Sequence, residues 1–139
     1  MTTQNIDNMI TVRIKRYNPD TDNKPYWQDF QIELTPDKTV LGALEEIKGE
    51  QDGSVTFRRS CRHAICGSCA MLVNRRNTLV CTKPLIEVVN DGWWFDKKGV
   101  ATIETLPSLP IIKDLVVDRS VFWKQYEELK PWLVPPADV

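Results

Sequence analysis

Four cysteines, Cys61, Cys66, Cys69 and Cys81, are the residues of this 139-residue chain best suited to chemistry, and their spacing reads C-x4-C-x2-C-x11-C. A [2Fe–2S] cluster takes four thiolates around a rhomb of two irons and two sulfides, and plant-type sites open with the same C-x4-C-x2-C run. The loop has to wrap the cluster with its amide N–H groups turned inwards. Gly67 and Ser68 suit that tight path, because small residues admit close approach of the backbone. Eleven residues, Ala70 to Val80, separate the third and fourth cysteines. They are enough to run out as a short strand, turn at Asn74–Asn77 and return, which delivers Cys81 beside Cys69.

Other uses of four cysteines fit less well. Zinc sites usually show two paired C-x2-C knuckles, and only Cys66 and Cys69 form such a pair. Two disulfides would need an oxidising compartment and would join very close neighbours. A Rieske centre needs two histidines, and His63 is the single histidine. His63 lies in the cysteine loop and reads first as a solvated loop residue, with a pH-linked cluster potential as the alternative. Around the cysteines, Ser54 to Ile86 contains no Asp or Glu but does contain Arg58, Arg59, Arg62, Arg75, Arg76 and Lys83. That segment carries +6, and the remainder −7, to give the net −1. Plant-type clusters sit near about −400 mV, and charge close by moves that value. Nearby cations favour the reduced, more negative cluster, so the segment marks a tuned cluster, an acidic partner, or both.

The elements that must hold this loop follow from periodicity. Ile10, Val12 and Ile14 alternate with polar residues, as do Phe30, Ile32 and Leu34, so residues 10–34 read as a hairpin around the turn-rich Asn18 to Pro25. Asp37 or Thr39 caps a helix with Val40, Leu41, Leu44 and Ile47 on one face. Asp52-Gly53 turns the chain, and Val55 to Phe57 reads as a short strand. Residues 58–69 have no hydrophobic period and read as a loop. Ala70 to Val73 and Thr78 to Cys81 form a hairpin. Leu85 to Val89 and Val100 to Leu106 are further strands, joined at Asn90-Asp91-Gly92. Trp93, Trp94 and Phe95 read as core or subunit interface. Five prolines lie at or beyond Pro107, and an amphipathic helix at about 118–129 places Phe122, Trp123, Tyr126 and Leu129 on one side, an interaction face.

The sum is an α+β fold: a twisted mixed sheet, one helix packed across it, and a C-terminal helical extension. The expected organisation is a polar segment at 1–9, a domain at 10–106 and an extension at 107–139. Hydrophobic content of 42% and charged content of 27% are those of an ordinary soluble globular protein. A net charge of −1 gives no drive towards nucleic acid or an anionic membrane. No apolar run approaches the ~20 residues of a spanning helix. Met1 to Asn8 shows no secretory signal, which points the cysteines to a reducing compartment.

The run Arg59-Ser60-Cys61-Arg62-His63-Ala64-Ile65-Cys66-Gly67-Ser68-Cys69-Ala70-Met71, followed by Asn77-Thr78-Leu79-Val80-Cys81-Thr82, resembles the iron–sulfur subunit of the succinate dehydrogenase and fumarate reductase family. Ile112 to Asp118 and Tyr126 to Leu133 resemble that family's stretch just before its second domain. The resemblance runs from about residue 10 to the end. It implies a β-grasp ferredoxin domain in which Cys61, Cys66, Cys69 and Cys81 hold one [2Fe–2S] cluster, with Arg59, Ser60, Arg62, Gly67 and Ser68 as its surroundings. Many members have Glu-Gly where this chain has His63-Ala64, and members can have Asp at the position of Cys69.

The same resemblance implies docking on a flavoprotein subunit with covalent FAD, and electron passage to or from quinone at membrane-anchor subunits. The expected function is therefore electron relay in a succinate:quinone oxidoreductase (complex II). Dicarboxylate chemistry would belong to the partner, and no catalytic residue is assigned to this chain. Membrane association would come through partners, at the mitochondrial inner membrane or the cytoplasmic face of a bacterial one. Family members continue into a domain holding [4Fe–4S] and [3Fe–4S] clusters. No cysteine follows Cys81 here, so that domain is expected either in a longer product or as a separate polypeptide. The alternative is a free-standing [2Fe–2S] carrier for another oxidoreductase. The basic cluster region and the C-terminal aromatics favour a docked subunit.

Overall fold

In the computed structural model, which describes residues 8–90 and 99–137, the alternation of the first strand is realised directly. β1 (Met9–Arg16) buries Ile10, Val12 and Ile14 and pairs antiparallel with β2 (Tyr26–Glu33), which buries Phe30 and Ile32. β1 also pairs in parallel with β5 (Val100–Glu104). β5 in turn pairs antiparallel with β3 (Ala70–Val73), whose other neighbour is β4 (Arg76–Leu79). The result is a mixed five-stranded sheet in the order β2-β1-β5-β3-β4. A parallel pair cannot be closed by a tight turn. The helix and the cysteine loop therefore lie within the long connection between β1 and β5.

α1 (Val40–Glu50) packs Val40, Leu41, Ala43, Leu44 and Ile47 into the core, the stripe expected of an amphipathic helix. Thr39, not Asp37, is its cap: the Thr39 hydroxyl accepts from the Gly42 N–H at 3.0 Å, an interaction worth about 1 kcal/mol. Two further N–H groups of the first turn are taken from outside the helix. Val40 donates to the Lys83 carbonyl and Leu41 to the Val80 carbonyl, both at 2.9 Å.

The structure departs from the sequence reading at several elements. Leu85 to Val89 is not a strand but the start of α2 (Leu85–Asn90), which buries Leu85, Val88 and Val89. Short apolar runs suit either element, and the buried spacing here is helical, with two adjacent valines inside. The β3–β4 turn is tighter than Asn74–Asn77. Asn74 and Arg75 alone make it, at φ 45° and 66°, both left-handed as a type I′ turn requires. β4 consequently ends at Leu79, before Cys81. Val55 to Phe57 joins no ladder: the Thr56 N–H donates to an Asp114 carboxylate oxygen at 3.0 Å, and its carbonyl accepts from Leu115. The expected Trp93-Trp94-Phe95 core or interface, and most of the turn before it, lie outside the described residues.

The segment after Pro107 contains a hairpin absent from the sequence reading, β6 (Ile111–Lys113) against β7 (Val116–Val117). Its turn residue Asp114 is buried and ion-paired to buried Arg16, Nε to Oδ1 at 3.0 Å. Arg16 also donates to Asp52 at 3.1 Å, Gln28 at 2.8 Å and Ser54 at 2.8 Å. Asp114 further accepts the Tyr17 N–H at 3.0 Å. With Leu115 and Val117 buried beside it, this network fastens the hairpin to β1 and to the end of α1. α3 (Ser120–Leu129) follows, with no residue buried, and carries the expected Phe122, Trp123, Tyr126 and Leu129 in exposed positions. Its aromatic rings touch in series: Phe122 to Trp123 at 5.1 Å, Trp123 to Tyr126 at 5.6 Å and Tyr126 to Trp132 at 5.3 Å.

Candidate metal centre

Residues 58–69 form the expected loop between α1 and β3. Arg62, Ala64 and Gly67 have left-handed φ values of 61°, 64° and 73°. Left-handed residues set among right-handed ones turn successive N–H groups to one side, the geometry that receives anions. Here the N–H groups reach sulfur. Cys61 Sγ accepts from His63 at 3.4 Å, Ile65 at 3.3 Å and Cys66 at 3.3 Å. Cys66 Sγ accepts from Cys61 at 3.5 Å and Ser68 at 3.4 Å. Such donors favour thiolate over thiol. The Cys61 N–H, followed by the Ser68 hydroxyl and N–H, lowers the Cys66 thiol to about 6.

Cys69 and Cys81 stand on the inner side of the same site, both buried. Burial pushes the Cys69 thiol up, and Cys81 is its immediate interaction partner. The cysteines therefore fall into two pairs, Cys61 with Cys66 at the surface and Cys69 with Cys81 beneath. Among the described residues, no three Cys, His, Asp or Glu side chains gather closely enough to bind one metal ion. A tetrahedral zinc needs such a gathering. A [2Fe–2S] cluster instead spreads its four thiolates over two irons, and a set that divides two and two suits it.

The loop's expected neighbours divide by role. Ser60 is exposed beside Cys61. Arg59 Nε and Arg62 Nη2 both approach Glu45 Oε1, at 3.0 and 2.9 Å, as close ion pairs without hydrogen-bond alignment. The basic segment is thus partly neutralised by a carboxylate from α1, and Lys83 is likewise met by Glu87 at 3.0 Å. Gly67 and Ser68 present their carbonyls to Arg119 Nη2 at 3.2 and 3.1 Å. Arg58 donates to the Val117 carbonyl at 3.0 Å. His63 is exposed, its Nδ1 against the Cys61 carbonyl. Glu45 and Arg119 are absent from the sequence reading. Neither lies in a motif, and each reaches the loop only through the fold.

Residues 11–124 match a family described as "2Fe-2S iron-sulfur cluster binding domain". A mitochondrial succinate dehydrogenase (ubiquinone) iron-sulfur subunit of Dictyostelium discoideum is 39% identical over 139 residues, 99% of this chain and 46% of that protein. Subunit 3 of the same description in Arabidopsis thaliana is 41% identical over 131 residues, covering 91% of this chain and 40% of that one. The chain spans about half the length of the curated relatives it matches. Among solved structures, a chain of the Mycobacterium smegmatis Sdh1 complex in the apo form matches with a TM-score of 0.78 and 24% identity, over 94% of this chain and 50% of that one. A hypothetical protein from Helicobacter pylori matches with a TM-score of 0.60 and 18% identity, over 91% of this chain and 22% of its own. These two similarities bear on the fold, and they agree with the ferredoxin-like sheet and C-terminal helix described above.

Proposed function

Because the chain belongs to the family of 2Fe-2S iron-sulfur cluster binding domains, we propose that Cys61, Cys66, Cys69 and Cys81 hold its [2Fe–2S] cluster and that it serves as an electron relay within a succinate:quinone oxidoreductase. The observation that carries the ligand assignment is the set of five backbone N–H groups directed onto Cys61 and Cys66 Sγ beside the Cys69/Cys81 pair. The cluster supplies one-electron chemistry when bound. The chain's own residues hold it, bury its inner ligands, and leave the outer side open, where Cys66 is exposed and Ile65 is 76% exposed. A redox partner can therefore come close to the outer pair. The partners proposed are an FAD flavoprotein subunit, a second iron–sulfur domain with [4Fe–4S] and [3Fe–4S] clusters, and membrane-anchor subunits. The exposed aromatic series of α3 supports docking within an assembly. Among the described residues no helix is long and apolar enough to cross a membrane, so membrane association would come through those partners. We propose further that 107–139 leads from the cluster domain towards the second iron–sulfur domain.

Iron and acid-labile sulfide analysis is expected to give two of each per chain, with an EPR signal only after one-electron reduction. Stoichiometric zinc without a visible chromophore would sink the ligand assignment. Isolation of the native complex tests the assembly. An FAD subunit and a source of the further cysteine motifs are expected beside this chain. A soluble monomer that reduces a partner unrelated to flavin–dicarboxylate chemistry would replace the relay with a free carrier.

The charges around the loop give a separate expectation. Arg62→Gln removes a cation next to Cys61 and should lower the cluster potential by some tens of millivolts, where ~59 mV is a tenfold change for one electron. Arg59→Gln should act in the same direction. Glu45→Gln removes the carboxylate that both guanidinium groups share and should move the potential upwards. Redox titration of the three variants checks the signs. Shifts of one common sign, or none, would leave these residues a docking role only.

A further inference from the structure

A single peptide group connects the C-terminal segment to the sulfur of Cys66. Arg119 Nη2 donates to the Gly67 carbonyl at 3.2 Å. The peptide that carries this carbonyl also carries the Ser68 N–H, which donates to Cys66 Sγ at 3.4 Å. A hydrogen bond accepted at an amide oxygen draws electron density from its nitrogen and strengthens the N–H as a donor. In chained hydrogen bonds this polarisation amounts to about 10–30% per bond. The first donor here is a guanidinium, so that bond is charge-assisted. Its second contact, to the Ser68 carbonyl at 3.1 Å, holds the same guanidinium nitrogen in place.

The surroundings preserve the effect. Arg119 is half-buried. Together with Cys66, Gly67, Leu109, Phe122 and Trp123 it lines a largely apolar cavity of about 310 Å³. Charges with such walls are screened less than exposed ones. The residue stands immediately before α3 and two residues after β7, the second strand of the hairpin that the buried Asp114 anchors.

We propose that Arg119 is a positioning residue that sets the potential of the cluster bound at Cys66, acting through the Gly67–Ser68 peptide. This rests on Cys66 being a ligand. Hydrogen bonds to ligand sulfur tune such potentials, and a stronger donor stabilises the reduced, more negative cluster. Arg119 therefore raises the potential. Lysine at 119 keeps the charge but not the planar fork and should recover only part of the effect.

The test is redox titration of the [2Fe–2S] EPR signal in the native assembly carrying Arg119→Gln or Arg119→Lys. At the wild-type midpoint, the Gln variant is expected to show a reduced-to-oxidised ratio lowered about tenfold, which is ~59 mV for one electron. The Lys variant should fall between the Gln variant and wild type. Labelling Ser68 with ¹⁵N adds a readout that a purely structural role would not move: the hyperfine coupling of that amide nitrogen should weaken in Arg119→Gln. A Gln variant that loads its cluster normally and titrates within twofold of wild type overturns the proposal. If the Gln variant does not assemble, a Lys variant indistinguishable from wild type in both midpoint and coupling overturns it equally. Cys66→Ser separates the two layers. Retention of a wild-type cluster in that variant would refute the ligand reading and this inference together. Loss of the cluster in Cys66→Ser, with no shift in the Arg119 variants, would refute this inference alone.

Discussion

Asp114→Ala is expected to destabilise the protein by about 3–5 kcal/mol, the cost of removing one partner of a buried, hydrogen-bonded ion pair. Three consequences converge on that carboxylate. It neutralises Arg16, which is 5% exposed, and it accepts the Tyr17 and Thr56 N–H groups. Deleting it leaves Arg16 with Asp52 as its remaining carboxylate and strands two amide donors inside the fold. The exposed Arg13–Asp29 pair, at 2.8 Å, has comparable geometry, yet Arg13→Ala should cost no more than the ~0.2–1 kcal/mol of a surface pair. Urea unfolding of the two variants at neutral pH makes the comparison, and equal effects would refute the argument. The same network predicts acid sensitivity. The Ser54 hydroxyl and N–H, together with Arg16, hold Asp52 at about 2 against an ordinary value of 3.8. A carboxyl with a lowered folded-state pKa contributes stability that is present above its unfolded value and lost as pH falls through the folded one. Stability should therefore decline between about pH 4 and pH 2, and Asp52→Asn should flatten that decline.

Cys61→Ser, Cys66→Ser and Cys81→Ser are each expected to lose the cluster or alter it severely, from two irons per chain towards none. Serine preserves the backbone but replaces the soft sulfur that iron–sulfur clusters use. Cys61 should be the most sensitive, because three N–H groups converge on its sulfur and the shorter serine side chain would draw the acceptor atom away from them. Cys69→Asp should be the most tolerant, since related sequences can carry Asp there. Iron and sulfide analysis, visible absorption and EPR report the outcome. Full loading in Cys61→Ser or Cys66→Ser would disprove the ligand set. Removing the cluster from the wild type should leave the sheet and α1 intact, because their buried side chains form one continuous core. Hydrogen exchange should then accelerate in residues 58–69 and little elsewhere.

The cysteine loop was legible because its spacing is local information: three cysteines lie within nine residues, and the fourth follows a hairpin whose turn begins at Asn74 as expected. The central strands and α1 were legible for the same reason, as Ile10, Val12 and Ile14 or Val40, Leu44 and Ile47 display their period in one window. Leu85 to Val89 was not. Its five apolar-rich residues satisfy both periods, and only packing against the core selects the helix. Val55 to Phe57 looked like a strand, but a side-chain carboxylate took the place of a partner strand. Arg16 and Asp114 are 98 residues apart, and Arg119 lies 51 and 52 residues beyond the carbonyls it holds. No window contains either pair. Glu45 resembled any solvated carboxylate on an amphipathic helix, and only the docking of α1 beside the loop gives it two arginines.

The carbonyls of Val80 and Lys83, on either side of Cys81, are claimed by the first turn of α1. The segment that carries the fourth thiol is thus braced by a helix some forty residues earlier in the chain, as well as by the hairpin that leads to it. A nascent or unfolded chain can gather Cys61, Cys66 and Cys69 locally, whereas the hairpin that returns Cys81 gains this brace only once α1 has docked. On the proposed ligand set, cluster insertion is therefore expected to follow docking of α1. A variant that slows docking of α1 is then expected to appear as a maturation defect with all four cysteines still in its sequence.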